Sequence, residues 1–406
     1  MPVIPSLHRA MEQALAEGIF PAAQLCVLHR GQPVHRSSHG SDPRGRRVQD
    51  ESLFDLASLT KVMATTVCAA VLVERLELRL DDEVSAILGQ GPRSTIRALL
   101  AHASGLPAWE PLFALAMEDP LARGIYPRGE GIHASARADR SSLEREAFRR
   151  SRELVLGATL AHRPGPEEGH RLYSDLGFIL LGHVLERVGQ ARLDRLCEQL
   201  VWRPLGLDRL RFFDLERGQA PGPEAHVLPT GRTRPRPPAP GQEGSYGVPA
   251  QSERVRPGRV DDDNAYALGG VAGHAGLFGT ASCVARFGWC IEEELRGAGR
   301  LDAAEALRVF VRRDEATLGS PRGLGFDLPS GERSAAGRSL GRLGPLSAFG
   351  HLGFTGTSLW VDRDRELSVA LLSNRVYPTR ESTLIRAFRP SIHDQIVAAI
   401  AQKSPI

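Results

Sequence analysis

Two stretches of the chain are apolar on every side. Residues 62–76 contain Val62, Met63, Val67, Ala69, Ala70, Val71, Leu72, Val73 and Leu76 with no clean polar stripe, and residues 176–188 are almost as apolar. A helix without a polar face belongs in the middle of a domain, so both are predicted as buried helices, the first running over 58–76. Around them the pattern changes period. Residues 7–16 repeat at helical spacing (Leu7, Ala10, Met11, Ala14, Leu15) and stop at Gly18. Residues 22–28 and 32–39, with a turn at Arg30-Gly31, read as a β-hairpin. A short helix is predicted over 95–100, with Thr95 or Ser94 as its cap, running into a loop at 102–107. Helices follow over 142–160, 193–200, 281–295 and 392–401, while 357–361 and 367–372 form a late antiparallel hairpin around a turn at 362–366. Residues 118–141 are rich in Gly, Arg and Ser and read as irregular. No internal repeat is visible.

Strands at both ends and helices between them predict an α/β fold. The early and late strands share one antiparallel sheet flanked by helices, and the middle makes a mainly helical lobe. The expected boundaries are 1–80 with 265–406 for the sheet lobe and 81–264 for the helical lobe. A cleft between the two is where a site is expected. Residues 221–258 are rich in Pro, Gly and Arg, including Arg232, Arg234 and Arg236. No aromatic stacking residues accompany these arginines, so the segment reads as a solvated surface loop of polyproline character and not as a nucleic-acid arm.

Composition narrows the partners. A net charge of +3 over 406 residues gives no reason to expect nucleic acid or an anionic membrane. Five cysteines without a C-x-x-C, and thirteen histidines without H-E-x-x-H, give no support for a metal site; Cys26 and Cys68 read as small core residues. The glycine-rich run at 269–276 lacks the order of a phosphate loop and reads instead as a close backbone approach. No run reaches membrane-spanning length, and the first residues lack a signal pattern, so a cytoplasmic protein is expected unless a signal precedes residue 1. No cofactor is expected.

The candidate chemistry starts at Ser58-Leu59-Thr60-Lys61. Three residues apart on a helix, the hydroxyl and the amine leave one face, so the amine can activate the hydroxyl without a histidine. Free backbone N–H groups at the start of that helix favour negative charge. Only Lys61 and Lys403 are lysines in a chain of 51 basic residues, and an arginine could not act as a base at position 61. Two further motifs stand apart: Tyr173-Ser174-Asp175 at a loop-to-helix junction, and His351-Leu352-Gly353-Phe354-Thr355-Gly356 opening the late hairpin.

Together, in this order, the three motifs resemble the serine β-lactamase and penicillin-binding protein superfamily, in particular its class C-like branch with S-x-x-K, Y-x-N and K-T-G elements. The likeness runs over nearly the whole chain, including the 102–105 loop and residues 276–278. It implies a serine hydrolase that forms an acyl-enzyme, with Ser58 as nucleophile, Lys61 as its proton partner and Tyr173 as second acid/base. It further implies an oxyanion hole from the backbone N–H groups of Ser58 and Phe354, with Gly353 letting substrate lie along the strand edge and Thr355 and Gly356 shaping that wall. His102 and His274 stay outside the catalytic set. Two departures from the family pattern fall in the site, Asp175 for asparagine and His351 for lysine. Both lower its positive charge. An anion beside Lys61 favours the ammonium, which moves proton removal toward Tyr173. A missing lysine weakens the hold on a substrate carboxylate, so the expected substrates are small-molecule esters or small amides, with lactams handled weakly. The resemblance leaves open a D-Ala-D-Ala carboxypeptidase or other muropeptide hydrolase, and a non-catalytic acyl-sensing protein on the same fold.

Overall fold

The computed structural model describes residues 2–126, 142–166, 168–222, 224–231, 258–318, 321–330, 336–340, 347–378 and 380–403. Most of the Pro/Arg-rich loop expected over 221–258, and residues 127–141 of the irregular stretch, lie outside them. The described strands are β1 (Ala22–His29), β2 (Gln32–Gly40), β3 (Phe54–Asp55), β4 (Arg211–Phe212), β5 (Leu277–Gly279), β6 (Ala348–Leu352), β7 (Ser358–Asp362) and β8 (Leu367–Ser373). The early and late strands share one antiparallel sheet in the order β2-β1-β8-β7-β6. The late hairpin is therefore a three-stranded unit. Its first strand, β6, was not separable from the motif it carries, because glycine and histidine interrupt the apolar alternation there.

Period two decides how this sheet is covered. Ala23, Leu25 and Val27 of β1 face the helices Pro5–Ala16 and Ile385–Lys403, meeting Leu7, Met11, Ile392 and Ile396. Cys26 and Leu28 face the other way, into the core with Val284, Phe287 and Ile291 of the helix Ala281–Leu295. That helix starts where the sequence predicts, because the Thr280 hydroxyl accepts the Cys283 N–H at 3.3 Å. The short helix Ile96–Leu100 is capped by Thr95 in the same way. The five cysteines are buried and free, as the reading of Cys26 and Cys68 required. Among the described residues no helix is long and apolar enough to cross a membrane.

The two apolar runs do lie at the centre, with a correction to the first. In place of one α-helix over 58–76, Ser58 stands in a turn, Lys61–Thr66 has the wider π-type winding, and a regular helix covers Val67–Glu74. Partners outside the helix explain the winding. The Trp202 indole N–H takes the Met63 carbonyl at 2.9 Å, and the Thr65 hydroxyl donates to the Gly273 carbonyl at 2.6 Å. π-Type turns recur at functional positions. Leu76 falls beyond the helix, with φ +60° and 82% exposure, so it is not part of the buried run.

The second buried helix, Asp175–Gly189, packs against the first through Phe178, Leu181, Val184 and Leu185. Its cap is Ser174, whose hydroxyl accepts the Gly177 N–H at 3.1 Å, so Asp175 is left for other work. The 269–276 run makes the backbone approach expected of it. A Cβ on Gly273 would stand 2.1 Å from the Phe178 carbonyl oxygen and 3.0 Å from the Gly182 Cα.

That contact sets a test. Gly273→Ala has no soft neighbour to push aside, so its urea midpoint should fall by the equivalent of about 1–3 kcal/mol. An unchanged midpoint would contradict the close packing of 273 on 178 and 182.

Candidate active site

The nucleophile turn is set by local geometry. Ala57 has φ +47°, a left-handed conformation uncommon for a residue with a side chain. The Asp55 carboxylate holds it by accepting the Ala57 N–H at 2.8 Å, and it also accepts the Asp261 N–H at 2.7 Å. Burial pushes the Asp55 carboxyl up to about 7, against those two donors. The carbonyls of Leu56, Ala57 and Ser58 then take the N–H groups of Leu59, Thr60 and Lys61. These turns use the amides of residues 59–61 and not that of Ser58. The three-stranded sheet β3-β5-β4 holds the turn from below, with the Leu56 N–H on the Leu277 carbonyl and the Leu277 N–H on the Thr60 hydroxyl.

One turn on, the Lys61 side chain is fully buried. An ammonium has three donors, and three acceptors surround this one: Ser58 Oγ at 3.0 Å, Asp175 Oδ1 at 2.8 Å and the His274 carbonyl at 3.1 Å. Burial alone would pull the amine down. The charge of Asp175 and then that of Tyr173, with the hydrogen bond to Asp175, outweigh it and carry Lys61 above the usual lysine value. The carboxylate and the carbonyl can only accept, and the raised value keeps the amine protonated, so its third N–H goes to Ser58.

Tyr173 is half-buried, with its ring centre 5.0 Å from Lys61 Nζ. His102 stacks on it, ring centres 4.3 Å apart, and takes the Ser174 N–H on Nδ1 at 3.0 Å. His102 therefore fixes more than its own loop: it holds the phenol ring and the residue that caps the next helix. Burial, then the charges of Arg322 and Lys61, keep its imidazole well below the usual histidine value. The His274 ring lies back from the site, against Asp262 at 2.8 Å, but its main-chain carbonyl belongs to the cluster.

His351 stands on edge strand β6, its ring centre 6.1 Å from that of Tyr173. Nδ1 donates to the Leu352 carbonyl at 2.7 Å, which leaves Nε2 as a lone-pair acceptor, buried and without a partner among the described residues. Burial, together with the Arg322 and Lys61 charges, outweighs the pull of Asp327 and lowers His351 to about 4.

The turn after β6 lies against the nucleophile turn. A Cβ on Gly353 would come 2.6 Å from the Leu56 carbonyl oxygen and 2.0 Å from Thr357 Oγ1. Glycine is thus required at 353 by the protein's own backbone. Thr355 departs from the expectation. Its hydroxyl is buried on the Asp55 carbonyl at 2.7 Å, so it braces the turn from behind and does not line the wall. Gly356, at φ +98°, faces Ser373 and Arg375. Phe354 is 39% exposed, its carbonyl held by Arg375 Nε at 2.8 Å, while Arg389 reaches the Gly353 and Thr357 carbonyls at 3.3 and 3.1 Å. Neither arginine was anticipated. Nor was Arg322, whose guanidinium carbon lies 5.1 Å from the Tyr173 ring centre. Among the described residues no cluster suits a metal ion.

The state of His351 is directly testable. Its folded value lies below the ordinary 6.5, so on acidification the unfolded chain takes up this proton first. The stability it contributes is therefore complete above pH 6.5 and declines as pH falls toward about 4. In an NMR titration the His351 ring signal should stay flat from neutral pH down through the usual histidine range and move only near pH 4. A midpoint near 6.5 would contradict the burial argument.

Comparison with known proteins follows the same outline. A family model described as beta-lactamase matches residues 7–391. A putative D-alanyl-D-alanine carboxypeptidase of Escherichia coli (strain K12) is 26% identical over 422 residues, covering 95% of this chain and 88% of that protein. A penicillin-binding protein homologue from Caulobacter crescentus superposes with a TM-score of 0.64 at 17% identity, covering 98% of this chain and 99% of that one. A family VIII carboxylesterase gives 0.61 at 16% identity, covering 97% and 98%. The matched span takes in Ser58, Tyr173 and His351 together, and with it this chain belongs to the beta-lactamase family.

Proposed function

We propose that the chain is a serine hydrolase that cleaves ester or small amide bonds through an acyl-enzyme, with Ser58 as nucleophile. The observation that carries this reading is the 3.0 Å contact of Lys61 Nζ with Ser58 Oγ inside a buried cluster closed by Asp175. Lys61 donates in that contact. The Ser58 hydroxyl proton therefore points elsewhere, and Tyr173 is the group to take it. Tyr173 enters this step as the phenolate, and Lys61, a fixed cation 5.0 Å from its ring centre, steadies the attacking oxygen.

Ser58 Oγ bonds to the substrate carbonyl carbon as its proton passes to the Tyr173 oxygen. The carbonyl oxygen becomes an oxyanion and takes the N–H groups of Ser58 and Phe354, each such donor being worth about 3–4 kcal/mol in acyl-transfer enzymes. The bond to the leaving group breaks and Tyr173 returns the proton to it. Water, deprotonated by Tyr173 in turn, attacks the acyl-enzyme and releases the acid. The bracing of the Phe354 carbonyl by Arg375 and of its neighbours by Arg389 supports the role given to the Phe354 amide.

A fluorophosphonate probe should label the wild type at Ser58 and leave Ser58→Ala unlabelled. Turnover of p-nitrophenyl esters should fall by on the order of a thousandfold or more in Ser58→Ala and by about a hundredfold or more in Tyr173→Phe. Labelling that survives in Ser58→Ala would overturn the assignment.

A further inference from the structure

We propose that Arg389 strengthens the oxyanion hole from behind, by polarising the peptide group whose other end is the Phe354 N–H. The inference rests on the hydrolase reading and adds to it a positioning residue, one that acts through the Phe354 amide and not on substrate.

The position of this cation is the first sign. Ile385, Arg389, Ile392 and Ile396 recur at helical spacing along the helix Ile385–Lys403, and all four are buried. That face would take an apolar residue at 389. Arg389 instead carries its guanidinium to the turn after β6, where it donates to the Gly353 carbonyl at 3.3 Å and to the Thr357 carbonyl at 3.1 Å. Among the described residues it has no acidic partner at ion-pair distance. Burial and the charges of Arg375 and Arg386 push it down to about 10 against the pull of Asp327, so it still carries its charge near neutral pH.

The turn does not need this cation to satisfy its own backbone. The Gly353 carbonyl already accepts the Gly356 N–H at 3.1 Å, and the Thr357 carbonyl already accepts the Gly353 N–H at 2.8 Å. A buried charge without an acidic partner weakens a fold, so its use lies elsewhere.

Peptide geometry says where. The Gly353 carbonyl and the Phe354 N–H are the two ends of one planar group. A cation on the oxygen draws electron density toward itself and leaves the N–H a stronger donor. Arg375 fixes the next peptide from the same side. Its Nε holds the Phe354 carbonyl at 2.8 Å, while its far end is tied to the Arg380 and Ser382 carbonyls at 3.0 and 2.9 Å. The Phe354 amide is thus flanked by two buried guanidiniums that bind main-chain carbonyls. Their effect is small while the substrate carbonyl is neutral and grows as its oxygen becomes an oxyanion, which is what favours a transition state over bound substrate.

The test measures p-nitrophenyl ester turnover and inhibition by phenylboronic acid side by side. Boron bonds to Ser58 Oγ, the hydroxyl proton passes to Tyr173, and the adduct is a tetrahedral anion with one oxygen in the place of the oxyanion. In Arg389→Met, kcat/KM should fall by about tenfold or more, and the boronate should bind about tenfold weaker or more. The urea midpoint should hold or rise, because an apolar chain replaces a buried charge. Arg389→Lys keeps the charge and should retain more of both activities than Arg389→Gln, which keeps only a donor. If Arg389→Met fails to fold, judged by circular dichroism, the comparison of Arg389→Lys with Arg389→Gln decides. Unchanged turnover and boronate binding in Arg389→Met, equal values for Arg389→Lys and Arg389→Gln, or losses that merely track a falling urea midpoint would overturn the inference and leave the hydrolase standing. A wild type that neither hydrolyses esters nor binds the boronate would remove both.

Discussion

A single buried ammonium organises this molecule. Lys61 sits beyond the reach of solvent and finds one acceptor in its own turn, at Ser58, and two on distant segments, at Asp175 and His274. A cation so placed is tolerable only while its partners stay put, since breaking a buried pair typically costs about 3–5 kcal/mol. The surrounding fold keeps them there. Ser174 caps the helix that presents Asp175. The bare backbones of Gly182 and Gly273 let the 273–276 segment lie close enough for the His274 carbonyl to point at the amine. The π-type winding over Lys61–Thr66 is held open by Trp202 and Thr65. Stability and chemistry are therefore not separable here. The contacts that make the ammonium affordable also aim the hydroxyl.

The opposite wall follows a second constraint, the strained turn at Ala57. A left-handed residue with a side chain costs about 1–3 kcal/mol and persists only if its neighbours over-determine it. Asp55 does so from one side through the Ala57 amide, and Thr355 and Thr357 from the other through the Asp55 and Leu56 carbonyls. The turn carrying Phe354 is thereby tied to the turn carrying Ser58. The two amides proposed as the oxyanion hole belong to one rigid unit.

Hydrophobic period read the framework well because the relevant signals are local. Helix Ala281–Leu295 has its cap at Thr280 and its stop in the next loop, and the central strands are short apolar runs, buried at nearly every position of β1, β7 and β8. The S-x-x-K spacing exposed Ser58 and Lys61 for the same reason. What escaped depends on contacts across the chain. A main-chain carbonyl such as that of His274 has no residue signature at all. Arg322 is one of 51 basic residues, and nothing around it in sequence hints that the segment returns to β6. The roles expected of Gly353 and Thr355 were read from their place in a motif, whereas packing shows both turned toward the nucleophile turn. His102 was judged by its loop alone, since stacking on Tyr173 is a tertiary fact.

The central claim is that Lys61 is a held cation and not a free base, and it can be measured without any substrate. The chain has only two lysines, so selective labelling of lysine side chains gives two NMR signals, one of which disappears in Lys61→Met. The remaining question is where the Lys61 signal titrates. It should stay protonated to a higher pH than an ordinary lysine and move to lower pH in Asp175→Asn. A Lys61 amine that loses its proton near neutrality in the wild type would contradict the account, and would return the base to lysine.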